Sequence, residues 1–434
     1  MPDKPIADVI ATARDAQVAW RRAPARRRLR VIRQVRRSIG DDPTGWAESC
    51  TPPQQRTLAE SLGAEVGPLA DACRWLERNA TRRLRSRYEG GWLDQWKPGG
   101  VSVRVTRKPL GVVLVIGAGN YPLFLLAAPA IQAIAAGNAV LLKPPPGGEA
   151  AAGRLNAALV AGGLDPRLCP VLESSAEAAE AAMDAGVDHV VVTGSAATGR
   201  AVARRAAERL TPCTLECSGV DAVVVLPGAD LERVADCVAW GLSFNSGATC
   251  IAPRRVIAGT AQLDRLEPLL RERLASAPSR RITQTVADAA LRLVEQAVSV
   301  GSRVASPAGF DARPLSHGHT APVVIRAGDT RPALLDEDCF GPVAVLVAAE
   351  SDDERVAAAN DCPYALGAAV FGPDGHGEAW EAAAELRAGC VTVDDLIAPT
   401  ADPRVPFGGV GESGYGVTRG AEGLLAMTRP QAIA

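Results

Sequence analysis

Short, almost unbroken apolar runs recur through the middle of this chain, at 112–116, 139–142, 170–172, 189–193 and 222–226. Ala- and Leu-rich stretches with helical spacing separate them. A strand with one wet face alternates apolar and polar side chains, whereas a strand that is apolar throughout has both faces covered. Strands of that kind alternating with helices build a parallel sheet of βαβ units. A second series follows Cys250, at 255–258, 322–325, 343–347, 368–371 and 390–393. The expected fold class is therefore α/β, with one parallel-sheet unit following another.

The rest of the chain frames those units. With 434 residues, 47% of them hydrophobic and 22% charged, the chain exceeds what one core comfortably fills, and two or three packed units are expected. Residues 6–86 read as helices, because apolar residues recur at helical spacing among Arg, Glu and Ala. Arg21, Arg22, Arg26, Arg27, Arg28, Arg30, Arg33, Arg36 and Arg37 crowd one part of this region. Interspersed with Ala, Leu, Val and Ile, they read as the solvated face of amphipathic helices, with nucleic acid or acidic lipid contact as the alternative. A glycine-rich, tryptophan-bearing connection runs from Gly90-Gly91 to Gly99-Gly100, and 101–108 then alternates Val with polar residues as an exposed strand does.

Several function classes fall away. A net charge of −2 leaves no electrostatic footprint for nucleic acid or an anionic membrane. The apolar run 111–142 is broken by Gly117, Gly119, Asn120, Pro122, Pro129 and Gly137, so its pieces fall short of the roughly 20 residues that span a bilayer. Ten cysteines are scattered without a Cys-x-x-Cys pair and only four histidines are present, so no metal centre is expected. Met1-Pro2-Asp3-Lys4-Pro5 lacks the apolar core of a secretion signal, and a reducing cytoplasm is the expected compartment.

Three segments carry chemistry. They are Gly117-Ala118-Gly119-Asn120-Tyr121-Pro122, Leu215-Glu216-Cys217-Ser218-Gly219 and Phe244-Asn245-Ser246-Gly247-Ala248-Thr249-Cys250. Together they hold the parts for attack on a carbonyl. Cys250 offers a thiolate, the most nucleophilic of ordinary side chains near neutral pH. Asn120 offers an amide N–H for the oxygen on which charge develops. Glu216 offers a base for water. A carboxylate after a buried-looking Leu215 is costly unless it is paired or functional, so a structural ion pair is the competing account of Glu216. A helix cap or plain loop residue is the competing account of Asn120.

These residues resemble those of the NAD(P)-dependent aldehyde dehydrogenase superfamily, and the resemblance runs from about Leu110 to the C-terminal segment. It is nearest to the short-tailed class that includes dimeric fatty and aromatic aldehyde dehydrogenases. It implies Cys250 as nucleophile, Glu216 as general base and Asn120 with the nucleophile's backbone N–H as the oxyanion hole. The chain departs from the family at Ala248, where Gln is usual, at Cys217-Ser218, where Leu-Gly is usual, and at Ala118-Gly119, where Pro-Trp is common. For the cofactor the resemblance points to Gly194, Ser195 and Gly199 in the turn Gly194-Ser195-Ala196-Ala197-Thr198-Gly199, where backbone N–H groups at a helix start meet a pyrophosphate. It also points to Lys143 at the adenosine ribose, and to Asp338 and Phe340 of Asp338-Cys339-Phe340-Gly341-Pro342 at the nicotinamide ribose, with Glu337 as a competitor for that role. Each of these positions also has a plain structural reading, as a strand-end lysine or an ordinary turn. Pro146 stands where NAD-preferring relatives carry a Glu that holds the ribose 2′-OH, so NADP+ at least comparable to NAD+ is expected. Pro406-Phe407-Gly408-Gly409-Val410-Gly411, followed by Ser413-Gly414 and Gly416, matches a motif near the substrate mouth. Tyr121, Phe124, Phe244, Ile397 and Phe407 suggest an apolar, partly aromatic channel.

The expected architecture is a cofactor domain of 1–84 and 105–213, a catalytic domain of 214–388, and a bridging β element of 85–104 and 389–434. The expected reaction is oxidation of an aldehyde to an acid through a thiohemiacetal and a thioester on Cys250, in a homodimer or homotetramer without membrane, nucleic acid or metal. Two rivals stand beside it: an acyl-CoA or acyl-thioester reductase, and a non-catalytic member of the family. Glu216 argues against the first, and the departures at Ala118, Gly119, Pro146, Ala196 and Ala248 motivate the second.

Overall fold

The computed structural model describes residues 5–50, 56–89, 103–307, 317–373 and 377–434. The Gly90–Gly100 connection expected from the sequence lies outside the described residues. The first unit is built on a five-stranded sheet in the order Gly414–Tyr415, Cys213–Cys217, His189–Gly194, Val112–Ile116 and Ala139–Lys143. The last four run parallel, and only Gly414–Tyr415 is antiparallel to its neighbour. Every residue of Val112–Ile116 and Ala139–Lys143 is buried, as a strand covered on both faces requires. The run 170–172 is not a strand. Val171 makes a single bridge to Leu142, and Pro170, lacking an N–H, cannot extend the ladder.

The second unit is a seven-stranded sheet in the order Arg303–Ser306, Val323–Arg326, Val343–Ala348, Pro253–Ala258, Asp221–Val225, Gly367–Phe371 and Cys390–Val393. All pairs are parallel except the first. Three expectations shift here. The run 222–226 belongs to this sheet, not to the series that precedes it in the chain. The strand Cys213–Cys217 pairs with His189–Gly194, so the chain crosses between sheets after Cys217 and not at 213/214. Cys390–Val393, expected in the bridging element, is the edge strand of the second sheet. Uniformly apolar strands do not reveal which neighbour they join, because every candidate ladder satisfies their side chains equally.

Helices Ile6–Trp20, Ala25–Asp41 and Gly67–Arg83 cover the first sheet and share one core with it. Helix Ala25–Asp41 buries Leu29, Val31, Ile32, Val35 and Ile39. Its arginines face outward: Arg33 and Arg36 pair with Glu77, and Arg28 donates to the Ala136 carbonyl at the end of helix Phe124–Ala136. Three of the nine arginines of the basic stretch are thus engaged in helix packing. A small antiparallel sheet of Arg87–Glu89, Val103–Pro109 and Thr428–Ile433 ties the chain's C-terminal strand to the segment before the first sheet. Among the described residues no helix is long and apolar enough to cross a membrane.

Candidate active site

The two sheets meet along a cleft, and the three chemical segments converge on it. Helix Leu231–Ser243 ends at a tight turn, Phe244–Gly247, in which Asn245 (φ 49°), Ser246 (φ 57°) and Gly247 (φ 73°) are successively left-handed. Such backbone persists in non-glycine residues only when its surroundings hold it. Here Asn245 Nδ2 donates to the carbonyls of Asn120 and Ala248 at 3.2 and 3.1 Å. Arg254 Nη2 donates to the Gly247 carbonyl at 2.8 Å, and the Phe244 ring stacks on Trp240 at 4.8 Å. A Cβ at Gly247 would fall 2.5 Å from the Pro342 backbone, so glycine is required where this turn meets the Asp338–Pro342 loop. The turn delivers Cys250, half-buried, into the cleft.

Glu216 lies on Cys213–Cys217 and is buried. Its Oε2 accepts from Thr418 Oγ1 at 2.8 Å, while Oε1 has no hydrogen-bond partner and stands 4.0 Å from Arg419 Nη2. Burial raises its pKa above the ordinary carboxylate value, against the opposing pull of Arg419 and Thr418. The ion-pair account of Glu216 is therefore met only in part: the contact is long and one oxygen is left open. Burial likewise pushes the Cys250 thiol well up, with Glu216 and Asp221 adding to the shift and Arg419 opposing it. The two segments are laced together where Gly219 N donates to the Cys250 carbonyl at 3.0 Å.

Asn120 is buried in the loop after Val112–Ile116, and its Nδ2 donates to the Ala248 carbonyl at 3.1 Å. It is not the cap of the following helix. That cap is Glu65, whose Oε2 accepts from the N–H groups of Leu123 and Phe124 at 2.7 and 3.0 Å. Arg56 pairs with Glu65 and donates to the Asn120 carbonyl at 3.1 Å, so a buried ion pair fixes the loop that carries Asn120. Removing one partner of a buried pair strands the other charge. Arg56→Met is expected to lower the unfolding free energy by about 3 kcal/mol in a urea titration.

The nucleotide side of the cleft carries Lys143, Gly194, Ser195, Asp338 and Phe340, together with Pro146. Its volume, about 500 Å³, lies within the ~300–1,000 Å³ usual for ligand sites. Ser195 caps helix Ala196–Ala207 by accepting from Thr198 N at 3.1 Å, leaving the helix start open towards the cleft. Gly199 does not line it. A Cβ there would come 2.6 Å from Cys217 Sγ, so this glycine lets the helix pack on the sheet. The Lys143 ammonium makes no hydrogen bond or ion pair among the described residues; burial depresses its pKa while Glu149 and Glu177 oppose this. Asp338 is held by Phe340 N at 2.7 Å and faces Arg254 Nε at 3.3 Å, so its carboxylate is already partly engaged. Glu337 pairs with Arg292 on the surface and does not compete.

The expected channel residues Tyr121, Phe124, Phe244, Phe407 and Ile397 do not line that cavity, though Cys250 packs against the cluster that holds Phe407 and Ile397. Tyr121 bonds Thr249 Oγ1 through its hydroxyl at 2.6 Å, and Ile397 packs by Ile251 and Phe407. Phe124 and Phe407 flank a charge that the sequence reading missed: the Arg419 guanidinium lies 5.4 and 3.8 Å from their ring centroids. Arg56, Glu65, Arg254 and Thr418 were missed as well. Only Arg254 had a nearby signal, a basic residue shortly after the segment that ends at Cys250.

Residues 2–433 match the aldehyde dehydrogenase family. The dimeric NADP-preferring aldehyde dehydrogenase of Mus musculus is 28% identical over 438 residues, covering 96% of this chain and 91% of that protein. Its Rattus norvegicus counterpart is 33% identical over 319 residues, covering 72% and 69%. The solved structure of succinic semialdehyde dehydrogenase from Streptococcus pyogenes, in complex with NADP+, has a TM-score of 0.90 and 22% identity over 100% of this chain and 95% of that one, a likeness of fold. The chain therefore belongs to the aldehyde dehydrogenase family, enzymes that oxidise aldehydes to acids with NAD(P)+.

Proposed function

We propose that Cys250, Glu216 and Asn120 perform the oxidation of an aldehyde to a carboxylic acid in this cleft. The convergence of all three on one cavity carries the reading. The residues on the nucleotide side suit a dinucleotide: a capped helix start behind Gly194, and Lys143 with an unpaired ammonium. When bound there, the oxidised nicotinamide accepts the hydride that turns a thiohemiacetal on Cys250 into a thioester. The chain does the rest. Cys250 gives up its proton to solvent as sulfur bonds the aldehyde carbon, and the Asn120 amide steadies the oxygen as it gains charge. Glu216 takes a proton from the water that attacks the thioester carbonyl and passes it to the sulfur as the C–S bond breaks, which returns the thiol and releases the acid. Reduction of both cofactors over an aldehyde panel, with acid released in the absence of coenzyme A, tests this; acyl transfer to coenzyme A alone would favour a thioester-forming enzyme.

We assign nucleotide binding to the five-stranded unit and thiol chemistry to the seven-stranded one. We place the chain in the short-tailed class, as a cytoplasmic homodimer or homotetramer; the relatives named as dimeric support the homodimer. For the cofactor, Pro146 lines the cleft where a carboxylate would repel a 2′-phosphate, and Lys143 stands ready to pair with one. Use of both cofactors is therefore expected, with NADP+ at least comparable to NAD+. Pro146→Glu is expected to shift kcat/KM towards NAD+. Strict NAD+ dependence of the parent enzyme would refute this and would transfer the ribose to Glu149.

A further inference from the structure

Arg419 places a positive charge where an apolar channel was expected. Its side chain is nearly buried, with 11% of its surface exposed. Its backbone, at φ 59° and ψ 176°, occupies a region that residues other than glycine rarely adopt. One face of the guanidinium rests 3.8 Å from the Phe407 ring centroid, and Phe124 closes in at 5.4 Å. Nη1 donates to the Thr400 carbonyl at 3.1 Å. Nη2 is 4.0 Å from Glu216 Oε1, too far for a hydrogen bond. A guanidinium has five N–H donors. Among the described residues only the Thr400 carbonyl takes one, so most of the fork is unspent.

The position of that fork matters. The nucleotide side of the cleft is walled by Lys143, Gly194 and Phe340, and none of Arg419, Phe124, Phe407 or Thr400 belongs to it. Arg419 follows Thr418, the residue bonded to Glu216, so it stands beside the base and away from the nucleotide. Thr400, its carbonyl partner, also lines a small cavity with Ile251, the residue after the nucleophile. An aldehyde whose carbon sits at Cys250 and whose tail points away from the nucleotide therefore runs towards Arg419. A planar guanidinium clasps a carboxylate with two parallel hydrogen bonds, which a neutral alkyl tail cannot replace. A site whose guanidinium donors stand open favours a ligand that fills them over one that leaves them unpaired.

We propose that Arg419 selects aldehydes that carry a carboxylate at the end remote from the carbonyl, so that the physiological substrate is an oxo-acid oxidised to a dicarboxylate. This rests on the reading of Cys250 as nucleophile, and the experiment separates the two. The probes are an ω-oxo carboxylate and its methyl ester, which share one chain and differ in charge. The parent enzyme is expected to favour the oxo-acid in kcat/KM by about 10²-fold, the scale of a buried charge contact. In Arg419→Gln that preference should vanish, chiefly through KM of the oxo-acid, and Arg419→Lys should restore part of it. Equal use of both probes by the parent enzyme would overturn the proposal. So would an equal loss of both in the Gln variant, which would make Arg419 a residue that only tunes Glu216. Oxidation of neither probe would instead condemn the active-site reading on which it rests. A second measurement needs no variant and no turnover. A dicarboxylate should slow alkylation of Cys250 by iodoacetamide in the parent protein while its dimethyl ester does not, and equal effects of the two would also overturn the proposal.

Discussion

Cys250→Ala is expected to abolish aldehyde oxidation, with a loss of at least about 10⁴-fold, while nucleotide binding and the circular dichroism spectrum stay unchanged. The effect is large because no step of the chemistry survives without the sulfur: neither the thiohemiacetal nor the thioester can form. The fold is spared because the turn is held by backbone and neighbours, namely Asn245, Arg254 and the Trp240–Phe244 stack, and not by the thiol. The one other thiol that lines the cleft is Cys217. It is buried, its pKa is pushed up to about 11, and its sulfur lies against Gly199. Substantial turnover in Cys250→Ala, lost only on further replacement of Cys217, would move the nucleophile and sink the assignment.

Glu216→Gln is expected to split the reaction in two. Hydride transfer needs the thiohemiacetal but not the water, so a burst of NAD(P)H close to one equivalent should precede a slow phase. Loss of general-base help is worth about 10²–10⁴-fold in the steady-state rate. The isosteric amide can still accept from Thr418, so misfolding is not the expected cause. The pH dependence follows from the burial of this carboxylate. A base works only when ionised, and burial raises its pKa. The steady-state rate of the parent enzyme should therefore rise with pH through a value above the usual carboxylate range, and fall as pH drops through it. That limb should be missing from the variant. An unchanged slow phase with the same pH profile would make Glu216 a structural residue.

What the sequence revealed and what it concealed divide along a physical line. Strands such as Val112–Ile116 were legible because burial on both faces leaves an unbroken apolar signature. The Glu216 segment was legible because a carboxylate among buried-looking residues is costly, and the Cys250 segment because its flanking residues resemble a family motif. Partnership was not legible. Arg56 reaches Asn120 across 64 positions, and Thr418 reaches Glu216 across 202. Nothing local announces such contacts. The assignment of 222–226 to the wrong series failed for the same reason, since ladder partners are chosen at long range. Gly199 failed differently: a glycine beside a phosphate and a glycine beside a packed sulfur look identical in one dimension.

The left-handed turn at Asn245, Ser246 and Gly247 gives this enzyme a hinge that is cocked but latched. Neither sheet supplies its latch alone. Asn120, on the first unit, grips it from one side, and Arg254, at the start of a strand of the second unit, grips it from the other. The aim of the nucleophile is therefore a property of how the two units are docked. Perturbations that let them slip relative to one another will disarm the thiol while both cores stay intact, so that catalytic competence reports the alignment of the halves and thermal resistance reports their interiors.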